Sequence, residues 1–309
     1  MNKAIRLALE QLGIEITRPS KLRAYATLLN DFEALIKLPH GYYQQGGAAG
    51  GTLWATHDAG FFSCLTTIMW SMMDLARLGH ACYAIDNSFG MHSFKEVPFS
   101  STYETLFTKR PPGELDAILD CAPNQLSHFD HHSNFEFIIE QHLGLNWSRK
   151  FVEAYMQPSA EVKSIADELD RKYRISSTPT VLVCYRGTDK HTEITPTPVD
   201  QYYQQLDAVL GSIPSAEVLI QTDQAQIRDG FLQRYGPVCK FIQELPVTRG
   251  NTVLHLDRRL AGNRERFAKN LYAMCLMAER CHTLITHTGN VGFFLALQAI
   301  LARRRVIQL

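Results

Sequence analysis

Ten residues, Cys184 to Glu193 ("CYRGTDKHTE"), carry an arginine, an aspartate, a lysine and a glutamate directly after the apolar run "TPTVLVC". Arg186 can fork onto a phosphate or carboxylate, and Lys190 adds a compact second charge. Gly187 allows close backbone approach to a ligand. Asp189, between the two cations, could accept from a ligand hydroxyl or hold Arg186 in place. Glu193 is the nearby carboxylate that could take a proton from an acceptor hydroxyl beside a diphosphate leaving group. The alternative is a solvated turn whose ion pairs contribute little.

Three further stretches have comparable chemistry. "THTGN" (Thr286 to Asn290) precedes the helical run "VGFFLALQAI", and a helix N-terminus there can bind a phosphate. Thr288 or Asn290 acting as an ordinary N-cap would explain the same residues. "HDAGFFS" repeats this logic in the first half, with His57 and Asp58 facing a crevice or Asp58 capping the helix. "HFDHH" (His128, Asp130, His131, His132) invites a metal. Adjacent histidines converge on one ion only where the backbone is irregular, and no HExxH or CxxC supports them, so a polar crevice loop without metal is the expectation. GxGxxG, P-loop and GxSxG motifs are absent, and Ser63 falls inside a helical pattern rather than at a nucleophile elbow.

The elements that must position these residues alternate strand and helix, which implies an α/β fold with parallel sheets. "GTLWATHD", a helix "GFFSCLTTIMWSMMDLARLG" stopped at Gly79, and "HACYAID" form a βαβ unit. "ELDAILDCA" is another expected strand and "FEFIIEQHLGLN" a short helix. In the second half, strands at "TPTVLVCYRG", "AEVLIQTDQ", "KFIQEL", "HTLITHTGN" and "RRVIQL" alternate with helices, reading as one doubly wound domain. The division expected is 1–155 for an N-terminal α/β domain and 156–309 for a C-terminal one. "RGTDKHTE", "QTDQ" and "THTGN" all stand at carboxyl ends of strands, where open α/β sheets bind ligands.

The 309 residues suffice for two such domains, and 45% hydrophobic and 20% charged content is ordinary for a globular chain. Lys+Arg and Asp+Glu are both 31, so the basic excess of a nucleic-acid partner is missing. Seven scattered cysteines, an odd number without CxxC, suit reduced thiols in a cytoplasmic setting rather than a disulfide framework. The amphipathic, charged N-terminus lacks a signal-peptide core, and no stretch has the roughly 20 apolar residues of a transmembrane segment.

"VLVCYRGTDKHTEITPTPVDQYY", "EVLIQTDQAQIRDGFLQRYG" and "LITHTGNVGFFLAL", in that order over residues 175–300, resemble the fucosyltransferase superfamily of α1,6-fucosyltransferases, rhizobial nodulation enzymes and protein O-fucosyltransferases. That family carries an "HxRRxDK…TE" loop, an "xxATDD" strand end and a "TFSSQ"-type loop. The resemblance implies two Rossmann-like domains facing across a crevice, the GT-B arrangement. It implies an inverting, metal-independent glycosyltransferase with no required cofactor. The donor would be a nucleotide diphosphate-sugar, by default a GDP-sugar carrying fucose, and the acceptor a hydroxyl of a glycan or glycoconjugate. Carried over, Arg186 binds the diphosphate and assists catalysis, while Thr188, Asp189 and Lys190 support the sugar-phosphate end. Glu193 is the base, Thr222 and Asp223 match the strand end, and Thr288, Gly289 and Asn290 match the C-terminal loop. His57, Asp58 and His131 are acceptor-side candidates by position. Cys184 stands for the family's histidine and Gly187 for its second arginine. The aspartate of the last long helix is missing near Ala273, with Asn270 one turn earlier; these departures leave the donor's base and sugar open. The rival readings are a non-catalytic nucleotide- or carbohydrate-binding protein on the same fold, and a metal hydrolase using "HFDHH".

Overall fold

A computed structural model describes residues 35–45, 50–97, 100–108, 127–187, 197–249, 260 and 262–309. The expected strand "ELDAILDCA" and the candidate site residues Thr188, Asp189, Lys190 and Glu193 lie outside the described residues.

The N-terminal sheet has the order β1 (Leu35–Leu38), β2 (Gly41–Gln44), β3 (Gly51–Ala55), β4 (Cys82–Asp86). β3, the helix α1 (Phe61–Arg77) and β4 form the expected βαβ unit, with β3 and β4 parallel. The sheet is nevertheless mixed, because β1 and β2 form an antiparallel hairpin that pairs antiparallel with β3. Pro39 and His40 make its two-residue turn, a compact signal between apolar runs too short to suggest strands by pattern alone. α2 (Thr102–Leu106), a π-helical turn at Phe137–His142 where the short helix was expected, and α3 (Leu145–Tyr155) follow. α3 occupies the stretch expected to hold the domain boundary. Its buried Trp147, Phe151, Ala154 and Tyr155 repeat at helical spacing and pack inward.

The C-terminal unit is built as expected. Helices α4 (Ala160–Tyr173), α5 (Val199–Ser212), α6 (Ala225–Tyr235), α7 (Arg264–Arg280) and α8 (Asn290–Leu301) flank a sheet of β5 (Thr180–Tyr185), β6 (Glu217–Thr222), β7 (Cys239–Phe241), β8 (Thr283–Thr286) and β9 (Arg305–Gln308). All its neighbours are parallel, in the order β7-β6-β5-β8-β9. Central β5 is buried along its whole length, as a strand covered on both faces must be. Its alternate residues face two cores: Val181, Val183 and Tyr185 pack with Tyr202 and Leu206 of α5, whereas Leu182 and Cys184 join a second core with α4, α7 and α8. This second core runs on through Phe62 and Met69 of α1 to Leu53 of β3, so the two sheets share one apolar interior. Among the described residues no helix is long and apolar enough to cross a membrane.

Candidate active site

The parallel sheet fixes the site by ending β5 and β6 in register, with Tyr185 opposite Thr222. Arg186 and Asp223 are the next residues of each chain segment. Their side chains pair, Arg186 Nε lying 3.8 Å from an Asp223 oxygen, and both are largely buried. The Gly187 N–H donates to the other Asp223 oxygen at 3.2 Å. The carboxylate thereby orients the arginine and the backbone that follows it.

Arg186 reaches towards the N-terminal unit: a Cβ placed on Gly60 would sit 3.8 Å from its guanidinium. Gly60 precedes α1, which has no side-chain cap and no acid in its first turn. The backbone donors and positive dipole end of α1 therefore stand beside the arginine. Between them opens a cleft. Gly60, Phe61, Phe62 and Phe94 line one side; Tyr185, Arg186, Gln221 and Asp223 form the charged end; Phe267, Leu271 and Met274 of α7 with Val291 of α8 form the apolar wall. An apolar slot with few convergent polar groups suits a ring and an attached anion. Asn270, on the same helix as Phe267 and Leu271, donates through Nδ2 to the Glu244 carbonyl at 3.0 Å. Its buried Oδ1 has no hydrogen-bond partner.

The other expected donor residues are placed less directly. Thr222 is buried and its hydroxyl accepts from the Gln224 N–H at 3.2 Å, so it shapes the turn after β6. At the start of α8 the Gly289 N–H donates to the His131 carbonyl at 2.7 Å, and the Asn290 side-chain oxygen accepts from Thr66 of α1 at 2.8 Å. These two donors and acceptors of "THTGN" thus join the loop to neighbouring elements, while Thr288 is half-buried beside them. Neither Thr288 nor Asn290 caps α8: the cap is Gly289 at φ 111°, a left-handed backbone that favours glycine. Gly292 packs so closely on His287 that an added Cβ would lie 1.9 Å from its carbonyl oxygen.

Cys184 and Gly187, two of the departures from the pattern that the resemblance gives, both lie in crowded surroundings. Cys184 is fully buried, its thiol donates to Gln221 Oε1 at 3.0 Å, and burial chiefly pushes its pKa up to about 12. A side chain at Gly187 would meet Gln224, with Oε1 2.6 Å from the new Cβ.

On the N-terminal side, sequence reasoning found His57 and Asp58 but missed the residues around them. His57 Nε2 hydrogen-bonds Ser63 Oγ at 3.1 Å, its ring meets that of His40 at 5.6 Å, and His40 lies 5.7 Å from Trp70. His128 stacks on Trp70 at 5.1 Å and 8°, and its Nε2 lies 3.0 Å from Asp74, which also pairs with Arg77. Burial first, then the neighbouring His128, lowers the His40 pKa; burial first, then His40, lowers that of His57. Both imidazoles therefore favour their neutral forms. Asp58 does not cap α1: it accepts from the His92 N–H at 2.8 Å, tying the loop after β4 to the loop after β3. His131 lies 6.3 Å from Trp70, on the loop that also holds Gly289. Asp130, its neighbour, is held below the usual carboxylate range by the His132 N–H first, with the His132 and His131 charges adding to it. His40 comes from the β1–β2 turn, Trp70 and Asp74 from α1, and His128 from a distant loop, so only a three-dimensional arrangement could have revealed the cluster.

No family model matches the chain, and no curated protein matches it in sequence. Solved structures do match. NodZ α-1,6-fucosyltransferase co-crystallised with GDP aligns with a TM-score of 0.50 at 15% identity, covering 79% of this chain and 90% of that one. Fucosyltransferase NodZ from Bradyrhizobium aligns with a TM-score of 0.51 at 14% identity, covering 79% and 91%. At such low identity the likeness speaks to architecture: the chain has the α/β fold of fucosyltransferase NodZ, two Rossmann-like units in the GT-B arrangement.

Proposed function

We propose that this chain is a glycosyltransferase that moves a sugar from a nucleoside diphosphate donor, with a GDP-sugar as the first candidate, to a hydroxyl of a glycan or glycoconjugate. The observation that carries the reading is Arg186, braced by Asp223 at the carboxyl end of the central strands and aimed across the cleft at the uncapped start of α1. On a fold shared with a fucosyltransferase co-crystallised with GDP, that is where a diphosphate would find a fixed cation and a helix dipole. The donor would lie on residues 156–309, with its base in the slot walled by Phe267, Leu271 and Met274. The acceptor would approach from residues 1–155, past His57, Asp58 and His131.

In this mechanism the acceptor oxygen attacks the anomeric carbon from the face opposite the diphosphate. The carbon–oxygen bond to phosphate breaks, and its electron pair leaves with the diphosphate. Arg186 and Lys190 neutralise that charge, so no metal is needed at the phosphates. Glu193 takes the acceptor proton, and the configuration inverts. Asp189 and Thr188 hold the sugar-phosphate end. The roles of Thr188, Asp189, Lys190 and Glu193 rest on the sequence resemblance alone. With reduced buried cysteines, the reaction suits the cytoplasm.

The test is thermal stability against GDP, UDP, dTDP and CDP, each with and without EDTA. A rise in Tm with one diphosphate that EDTA leaves intact supports the proposal. No rise with any of the four would overturn it.

A further inference from the structure

The loop from Ser127 holds, beside the acceptor-side candidate His131, two further ligand groups, Asp130 and His132, that the proposed transfer does not use. One donor atom each from Asp130, His131 and His132 lies within 4.8 Å of the others. Consecutive residues point to opposite sides of a strand and diverge around a helix, so neighbouring histidines converge only where the chain turns. It turns here, at His131 and His132. Asp130 bends back on itself, accepting from the His132 N–H at 2.9 Å, and the two imidazoles come to 4.3 Å between centroids. His132 Nδ1 is shielded from solvent and makes no hydrogen bond among the described residues.

The turn is also held in place from outside. The Phe129 ring is 4.4 Å from that of Phe293, the Gly289 N–H donates to the His131 carbonyl, and Gln308 Nε2 donates to the Ser133 carbonyl at 2.9 Å. The fold therefore holds the ligand atoms near one another before any ion arrives, leaving a small inward movement for the ion to complete. Two imidazoles and a carboxylate form a borderline nitrogen–oxygen set suited to zinc, with remaining positions open to water.

We propose that Asp130, His131 and His132 bind one Zn²⁺ ion. Because the His131 carbonyl holds Gly289, the ion fastens this loop to the start of α8. Its chemistry is separate from that at the diphosphate, and the nucleotide-induced rise in Tm survives its removal.

The experiment uses the full chain stripped of metal. Equilibrium dialysis against Zn²⁺, and visible absorption on adding Co²⁺, should give one ion per chain. Asp130→Asn and His132→Gln should each weaken binding at least about tenfold, while His282→Gln, at an exposed histidine elsewhere, should not. X-ray absorption at the zinc edge of the unmutated protein should show nitrogen and oxygen ligands at about 2.0–2.1 Å with imidazole scattering. Absence of one bound ion per chain, undiminished binding in both variants, or sulfur ligation at the zinc edge would each overturn the proposal.

Discussion

The two units carry polar clusters built on opposite electrostatic plans. At the strand ends of the C-terminal unit sits Arg186, an arginine that stays charged at any working pH, held by Asp223, whose other oxygen accepts from the Gly187 N–H. On the N-terminal unit sit His40 and His57, whose burial lowers their pKa values and favours the neutral form, with His40 between His57 and Trp70. A fixed cation suits a leaving diphosphate. Neutral imidazoles beside an indole suit a polyhydroxylated acceptor that is recognised by hydrogen bonds and stacking rather than by charge. In the proposed transfer, this contrast separates a charged donor from an uncharged acceptor.

The hardest test of that contrast is Arg186→Ala. It should remove the GDP-induced rise in Tm and reduce transfer by roughly 10³-fold, because both the donor site and the charge neutralisation are lost. Lysine at the same position should restore little, since it lacks the fork. If Arg186→Ala keeps the GDP shift, the diphosphate lies elsewhere and the contrast fails. Glu193→Gln should split the two sides: the GDP shift stays, while transfer falls by roughly 10²-fold in single-turnover assays. Normal transfer in that variant would remove Glu193 from the role of base.

On the histidine side, Asp74→Asn should lower stability by about 2 kcal/mol in urea unfolding, because the buried carboxylate pairs with both Arg77 and His128. GDP affinity should be unchanged. The smallest effect is one of pH. The unfolded chain takes up protons at His40 and His57 near their ordinary value of 6.5, whereas the folded chain resists until lower pH. Stability contributed by these groups is therefore intact above that value and declines as pH falls through the lowered folded values. The urea midpoint should drop on acidification below about pH 6.5, and a His40→Gln, His57→Gln double variant should flatten that drop.

The C-terminal side of this comparison was largely legible in the sequence and the N-terminal side was not. "TVLVC" is a run of buried residues bounded by a Pro and a charged loop, and its period leaves few alternatives to a central strand. Arg186 and Asp223 meet because adjacent parallel strands end in register, so strand ends alone locate them. The capping roles expected of Asp58, Thr288 and Asn290 were wrong because long-range partners, the His92 N–H and Thr66, compete successfully for two of these side chains and glycines occupy both caps. His40 lies in a hairpin of four-residue strands too short to show a period, and His128 in a loop without any. Their meeting at Trp70 depends on tertiary packing, which no local pattern encodes.

The shared interior described above has a consequence for how the molecule comes apart. Leu53 of β3 and Phe294 of α8 belong to one apolar core, and Thr66 and Asn290 clip α1 to α8 within it. Widening the cleft by rocking one sheet away from the other would tear a close-packed interior rather than slide a wet interface. Melting should accordingly be a single cooperative transition in calorimetry, not two. The same union makes a severed half a poor stand-in for the whole, since each would present to water the face it normally hides in the other.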